Sequence, residues 1–491
     1  MSTNEMSSLE PPIPDPSAEN TKREALPLEL VLELSLEEHP ARLRQRVLSL
    51  AWPIIGENLF ETLLGVVDIM LVAGLGTAAT AGVGSGLQIM FFLMSALSAL
   101  SIGSSILVAQ AVGAEDEESA SRLARQSLLW SVLLSVPIAL IGFGLSHALI
   151  GLFSMAPNVS RIGVSYLQVT MGTIVVLVAL TIASGVLRGA GDTRTPMIVT
   201  AIANVINAVL AFGLIYGHWG LPVLGAVGSA WATFAARAFA LLLIVKALWR
   251  GRNGVRISGS GGWRPDWSIA RKVLTLGIPA SVEQVLMATA FLVLTILVAR
   301  LGTDTLAAMR ISLNALSFSF LPGFGFSMAA SALIGQSIGA HQPRHGAGVA
   351  RVATLWAVLW MSLIGALIFV FSTPIMRLFT HDVNVIRIGA DSLRVVALSQ
   401  PFWAVGMVQA GALRGTGDTL FPLLIGAIGI WSTVLLVWLG LTFLGGGLNM
   451  VWFAFLLTSP ITATLTWRRF QSRIRELEQE GNGESQPPRL P

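Results

Sequence analysis

The chain has no cysteine. That absence excludes a disulfide scaffold, a cysteine-ligated zinc site and a cysteine nucleophile. Charge is the second shortage. Only 12% of the 491 residues are Asp, Glu, Lys or Arg, against roughly 25% in soluble domains. A water-facing surface needs charge for solubility, so a string of soluble domains is excluded. Histidine is scarce as well. His147, His218, His341, His345 and His381 fall at the ends of apolar runs or between them, and no helix pattern carries the paired histidines of an intramembrane metalloenzyme. Neither an enzyme nor a cofactor is expected. The first residues also lack the short basic start and apolar core of a secretory signal.

What the chain has instead is apolar length. Hydrophobic residues make up 54% of it and the mean hydropathy is +0.72. The net charge is +4, but the basic residues are scattered through short gaps between apolar runs. That is the pattern of a polytopic membrane protein rather than of a nucleic-acid-binding face.

Twelve stretches are long enough to span a bilayer. They lie near 47–74, 79–112, 123–153, 158–187, 193–217, 222–249, 268–300, 304–338, 348–379, 386–413, 418–443 and 448–467. Residues 1–45 are polar and rich in Pro, Ser and Glu and read as a disordered tail, with Leu28 to Leu36 as a candidate surface helix. Residues 46–250 form a first six-helix bundle, 251–267 a linker, 268–470 a second bundle, and 471–491 a charged, disordered tail. Arginines precede the first span, flank the connections after even-numbered spans, fill the linker and follow the last span. By the positive-inside rule both termini and the linker are expected to be cytoplasmic. Trp249, Trp263, Trp267 and Trp467 suit an aromatic belt on that side.

The two bundles repeat each other at an offset of 226 residues as far as Pro196 and Pro422, after which the register drifts and Trp231 matches Trp452 at 221. Pro53 matches Pro279, Glu57 matches Glu283, Gln110 matches Gln336 and Gly113 matches Gly339. The loop Leu187-Arg188-Gly189-Ala190-Gly191-Asp192-Thr193 recurs as Leu413-Arg414-Gly415-Thr416-Gly417-Asp418-Thr419. Six helices, an even number, separate the repeats, so both halves run in the same direction and relate by a pseudo-twofold axis along the membrane normal. The expected fold is thus an all-α integral membrane protein of twelve helices in two parallel bundles, with a cleft between them. In the loop, Gly189 and Gly191 permit a tight turn, Asp192 can cap the next helix, and Arg188 is expected to reach the headgroups or the other half.

The first span carries Glu57, Glu61 and Asp68 on one helical face, because offsets of four and eleven residues return to within about 40° of the start. A charge at a helix centre costs roughly 2.5–3.5 kcal/mol to insert. The stripe must therefore face the cleft or other helices. Glu57 has a counterpart in Glu283, whereas position 294, the counterpart of Asp68, is Leu. An acid kept in both halves reads as architecture, and one kept in a single half reads as an ion site. Asn204 and Asn207 in the fifth span and Thr233 in the sixth are candidate partners for Asp68, able to hold a cation or to stabilise one protonation state of the acid. They can equally be interhelical glue. Glu57, Glu61, Met94, Met171, Glu283 and Met287 are candidate cleft-lining residues, methionine adapting to varied apolar shapes. Arg237 is one of few arginines placed inside a span.

The paired LRGxGDT loops, the VVDIMLVAGLG run that ends the first span, and Pro53 fifteen residues before Asp68 resemble the multidrug and toxic compound extrusion (MATE) family. Within it the chain is most similar to the DinF-type branch. The resemblance implies a monomeric exporter in the bacterial cytoplasmic (inner) membrane, among membrane lipids. Its cargo would be small amphipathic cations and its drive inward H⁺ or Na⁺. Asp68 would be the principal acid, Asn207 its amide partner, Thr233 a neighbour and Pro53 the hinge of the first helix. Two departures bear on the ion. Ala211 stands where the family often has a second acid, and Trp403 where another branch has an acid in the tenth span. The first favours proton over sodium, and the second argues against an ion site in the second half. A flippase for a lipid or lipid-linked sugar shares the twelve-helix plan and is the alternative, though its cleft would be expected to hold more arginines. A channel fits less well with repeated Gly and Pro hinges.

Overall fold

The computed structural model describes residues 40–259 and 261–484. The candidate surface helix at Leu28 to Leu36 lies outside them. The described residues from Arg44 onward form one compact unit, and every element in it is helical. In chain order the helices are α1 (Pro40–Ala73), α2 (Thr77–Gly113), α3 (Glu117–Gly151), α4 (Pro157–Gly172), α5 (Ile174–Gly189), α6 (Arg194–Tyr216) and α7 (Ala226–Arg250). The second half follows as α8 (Trp267–Ala299), α9 (Thr303–Gly339), α10 (Pro343–Val370), α11 (Ser372–Phe379), α12 (Val383–Ala397), α13 (Gln400–Gly415), α14 (Leu420–Phe443) and α15 (Leu448–Glu484).

Twelve helical segments thus occupy the twelve expected ranges, three of them broken in two. Among the described residues nine helices are long and apolar enough to cross a membrane, or ten if α4 and α5, bent by 51°, count as one span. The other two segments are α1, with its three acids, and α12–α13, which carries Arg387, Asp391 and Arg394. The breaks have local causes. α4 ends on Gly172, and Thr173 alone separates it from α5. Pro374 and Pro401 sit in the first turns of α11 and α13, where a missing N–H interrupts any helix arriving from before. The final helix also runs further than the composition suggested. Expected to give way to an unstructured tail at 471, it continues to Glu484, and Arg469 and Arg473 bond to Glu476 along it.

The halves pack alike. α2 rests on α5 as α9 does on α13, and α6 on α7 as α14 does on α15. The halves meet where α2 lies against α8 and α9. At the end of the molecule nearest the 251–266 segment, the tips of α2 and α9 touch. A Cβ on Gly113 would collide with the backbone of Gln336, and one on Gly339 with that of Gln110. Each glutamine then crosses to the opposite half. Gln110 Nε2 donates to the carbonyl of Gly415 at 3.2 Å, and Gln336 Nε2 to that of Gly189 at 3.0 Å. Each repeat thus holds the other's turn, and this end is shut. Gly191 and Gly417 make those turns with φ of +83° and +88°. Asp192 caps α6 through the Thr195 N–H at 3.0 Å, as expected of it.

The linker is fastened rather than loose. Gln126 donates to the carbonyls of Gly262 and Arg264, and accepts from the Asp266 N–H. Asp266 also pairs with Arg122 at 2.7 Å. Trp249, Trp263, Trp267 and Trp467 are all exposed, the arrangement a lipid interface requires.

Two outcomes are expected. Replacing Gly113 and Gly339 by Leu should force the tips apart, read as a longer spin-label distance between cysteines introduced at Glu118 and Arg344 in this cysteine-free chain. The hydrogen bonds from Ser268, with help from Arg122, hold the Asp266 carboxyl below its ordinary range. A depressed folded value gives a contribution that is present above about pH 3.9 and fades as pH falls through the lower folded value. Pepsin cleavage within 251–266 should therefore rise only below about pH 3.9, and at higher pH in Asp266→Asn.

Candidate functional site

The acid stripe of α1 meets three different environments. Glu57 is buried and takes both its bonds from Arg188 Nη1, at 2.9 and 3.0 Å. Arg188, expected to reach the headgroups or the other half, instead closes this pair within its own half. The repeat makes the same bond, Arg414 Nη2 to Glu283 at 2.9 and 3.1 Å. In both halves the last turn of the fourth span is tied to the first span. Glu57 and Glu283 are therefore scaffold rather than open cleft lining. Glu61, one turn on, is exposed and accepts no hydrogen bond among the described residues.

Asp68 is half-buried near the far end of α1. Thr233 Oγ1 donates to Asp68 Oδ2 at 3.2 Å, and Asn207 Nδ2 donates to Thr233 Oγ1 at 3.0 Å. Three residues from α1, α6 and α7 that the sequence places far apart are thus one chain of hydrogen bonds, with Thr233 in the middle. Asn207 is fully buried. Asp68 Oδ1 and Asn207 Oδ1, both shielded, have no partner among the described residues. A buried acceptor left unpaired costs about 1–3 kcal/mol, so two in one cluster mark a place built for something else than packing.

The corresponding positions of the second half hold no such cluster. Leu294 is buried in an apolar core with Ala290, Val298 and Trp452. Thr433, the counterpart of Asn207, bonds only to Thr458 at 2.8 Å among side chains. Trp403 packs against Phe320 and Phe455. One half has an acid on a hydroxyl and an amide; the other has hydroxyls and rings.

Other expected site residues sort differently. Asn204 donates to the carbonyl of Phe60 at 2.5 Å, which ties α6 to α1 and takes it out of the Asp68 cluster. Met171, expected at the cleft, is 1% exposed and fills core against Gly142. The reason is that it faces inward from the last turn of α4, just before the 51° bend within the span expected at 158–187. Met94 is half-buried and Met287 exposed. Pro53 lies inside α1, which is continuous through it.

Two residues were missed. The buried Tyr166 of α4 is an electrostatic neighbour of Asp68, and Tyr216 donates its hydroxyl to the carbonyl of Leu71, one turn beyond Asp68, at 2.7 Å. The signal was available: the chain has only 2 tyrosines, and both are in the first half.

Comparison with known proteins agrees with this architecture. The MatE family model matches residues 53–213 and again 279–439, the two repeats found here at the same offset. The probable multidrug resistance protein NorM of Thermotoga maritima is 31% identical over 425 residues, covering 85% of this chain and 91% of that one. Multidrug resistance protein NorM of Burkholderia vietnamiensis is 29% identical, covering 78% and 84%. Among solved structures, the outward-facing conformation of a multidrug resistance MATE family transporter of the MOP superfamily superposes with a TM-score of 0.83 at 22% identity, over 89% and 97% of the two chains.

The duplicated ion pair yields a stability test. Glu57→Gln should destabilise the purified protein by about 3–5 kcal/mol, because it leaves a buried guanidinium unpaired. The double variant Glu57→Gln/Arg188→Gln should cost less than the single. Chemical unfolding in detergent measures both.

Proposed function

The chain belongs to the MatE family of membrane transporters and is not an enzyme; from that premise we propose that it exports small amphipathic organic cations in exchange for protons. It sits as a monomer in the cytoplasmic membrane, with the arginine-rich linker end inside. The two parallel halves, latched together at that end, open and close about the cleft to expose it to each side in turn.

The observation that carries the coupling is the Asp68–Thr233–Asn207 chain with its two unpaired oxygens. Both orphan atoms are acceptors while Asp68 is ionised. A proton on Asp68 Oδ1 turns one of them into a donor and removes a charge from a low-dielectric site. Protonation therefore changes what Asp68 seeks from its neighbours, and α1 can respond by bending at Pro53. Ionised Asp68 attracts a cationic cargo and neutral Asp68 releases it. Proton uptake from outside thus drives discharge outward, and proton loss to the cytoplasm prepares the next cargo. The unpaired Glu61 adds to the attraction for a cation. The absence of an acid at Leu294 and at Trp403 favours one coupling site over two.

Reconstituted Asp68→Asn is expected to lose at least about 90% of organic-cation movement driven by an imposed pH gradient, and Thr233→Val to slow it. Asp68→Asn moving cargo at the wild-type rate would remove the assigned role. Running the wild type with a Na⁺ gradient in place of the pH gradient tests the choice of ion, and little or no movement is expected.

A further inference from the structure

The 226-residue repeat sorts the charges inside the spans into two classes. Glu57 and Arg188 recur as Glu283 and Arg414, and both pairs close the same bond. Asp68, Glu61 and Arg237 do not recur: their counterparts are Leu294, Met287 and, at the offset of 221 that holds in the last span, Thr458. Charge inside a membrane is costly and is kept where it is used. By this criterion Arg237 belongs with the two acids of the site and not with the scaffold.

Its position agrees. Arg237 lies one turn from Thr233 on the same face of α7, and Thr233 holds Asp68 at 3.2 Å. The positive charge of Arg237 acts on Asp68, Glu61 and Tyr166. Arg188, the other cation acting on Glu61, is already committed to Glu57. The Arg237 guanidinium is half-buried and makes no hydrogen bond or ion pair among the described residues. It is a cation placed beside two carboxylates without being spent on either.

We propose that Arg237 is an internal counter-cation that sets the ion choice of the Asp68 site, admitting a proton and refusing a small metal cation. The inference rests on the transport reading above and adds the residue that decides its coupling ion. With both acids ionised and Arg237 charged, the cluster carries one net negative charge. A large organic cation, its charge spread over an apolar body, suits that field. It is shed once protonation of Asp68 makes the cluster neutral. A small metal cation must sit directly against oxygen, beside a guanidinium that is always charged. Repulsion between the two like charges in a poorly screened site weakens its binding by roughly tenfold or more. It also finds few oxygens. Asp68 and Asn207 offer one unpaired oxygen each, the neighbouring Ser229 its hydroxyl and Thr233 a fourth, against the six or so that hard cations gather. Ala211, one turn beyond Asn207, adds none. A proton forms a covalent O–H bond and needs no such shell.

The test uses the full chain in proteoliposomes with ethidium as the cation, driven by either a pH or a Na⁺ gradient. A second assay follows heat stability of the detergent-purified protein as Na⁺ replaces K⁺ at constant ionic strength. The wild type is expected to run on the pH gradient alone. Arg237→Met is expected to gain Na⁺-driven movement and to reach half-protection at a Na⁺ concentration at least tenfold lower than the wild type needs. Arg237→Lys, which keeps the charge, should retain the wild-type ion choice. A wild type protected or driven by Na⁺ as readily as Arg237→Met overturns the proposal, as does a charge-conserving Arg237→Lys that gains Na⁺ as fully as Met. A wild type that moves ethidium under neither gradient would strike the transport reading instead, and the heat assay would still decide the ion choice.

Discussion

The structure depends on how an ionised carboxylate can be kept inside a membrane. Asp68 is held by a hydroxyl, which is held in turn by a buried amide, and the charge of Arg237 acts on it. None of these is a direct ion pair. Glu57, eleven residues earlier on the same face, has the opposite arrangement: Arg188 satisfies both of its oxygens and the pair is closed. Asp68 is held by a neutral hydroxyl and keeps one oxygen without a partner among the described residues. The difference between scaffold and site is the difference between those two ways of satisfying one side chain.

Duplication makes that difference visible. Features held in both halves do the same job twice: the Glu–Arg ties, the capped Gly-turn loops and the crossed Gln110 and Gln336 bonds. The crossed glutamines are instructive, because each half completes the other's turn and the shut end is built from the repeat itself. Features held in one half break the symmetry, and Asp68, Glu61 and Arg237 are among them.

Much of this was legible in the sequence. The charge shortage and the length of the apolar runs led to twelve spans, and the repeated LRGxGDT loop led to two parallel halves. The missing twin of Asp68 at Leu294 singled out the acid, and the asparagine and threonine chosen as its partners do form its hydrogen-bond chain. What was not legible depends on rotation and on breaks. Asn204 and Asn207 are three residues apart, but about 60° of rotation sends one to the Phe60 carbonyl and the other to Thr233. Met171 was misplaced because composition cannot show the bend at Thr173 that turns it into the core. Arg188 was misdirected because a long side chain at a helix end has many partners within reach, and only packing selects Glu57. The helix beyond residue 471 was read as tail because charge alone resembles disorder, while the Arg469, Arg473 and Glu476 spacing that supports it is a local matter of one turn.

The central claim is that cargo and proton exchange at one carboxyl. Its most direct test is the count of protons released when an organic cation binds to the purified, unbuffered protein near neutral pH. The account predicts a release of up to about one proton per cation bound in the wild type, growing as the pH is lowered towards the titration of the site, and none in Asp68→Asn at any pH. Release of the same size from Asp68→Asn, or cation binding to the wild type with no proton release at any pH, would contradict it.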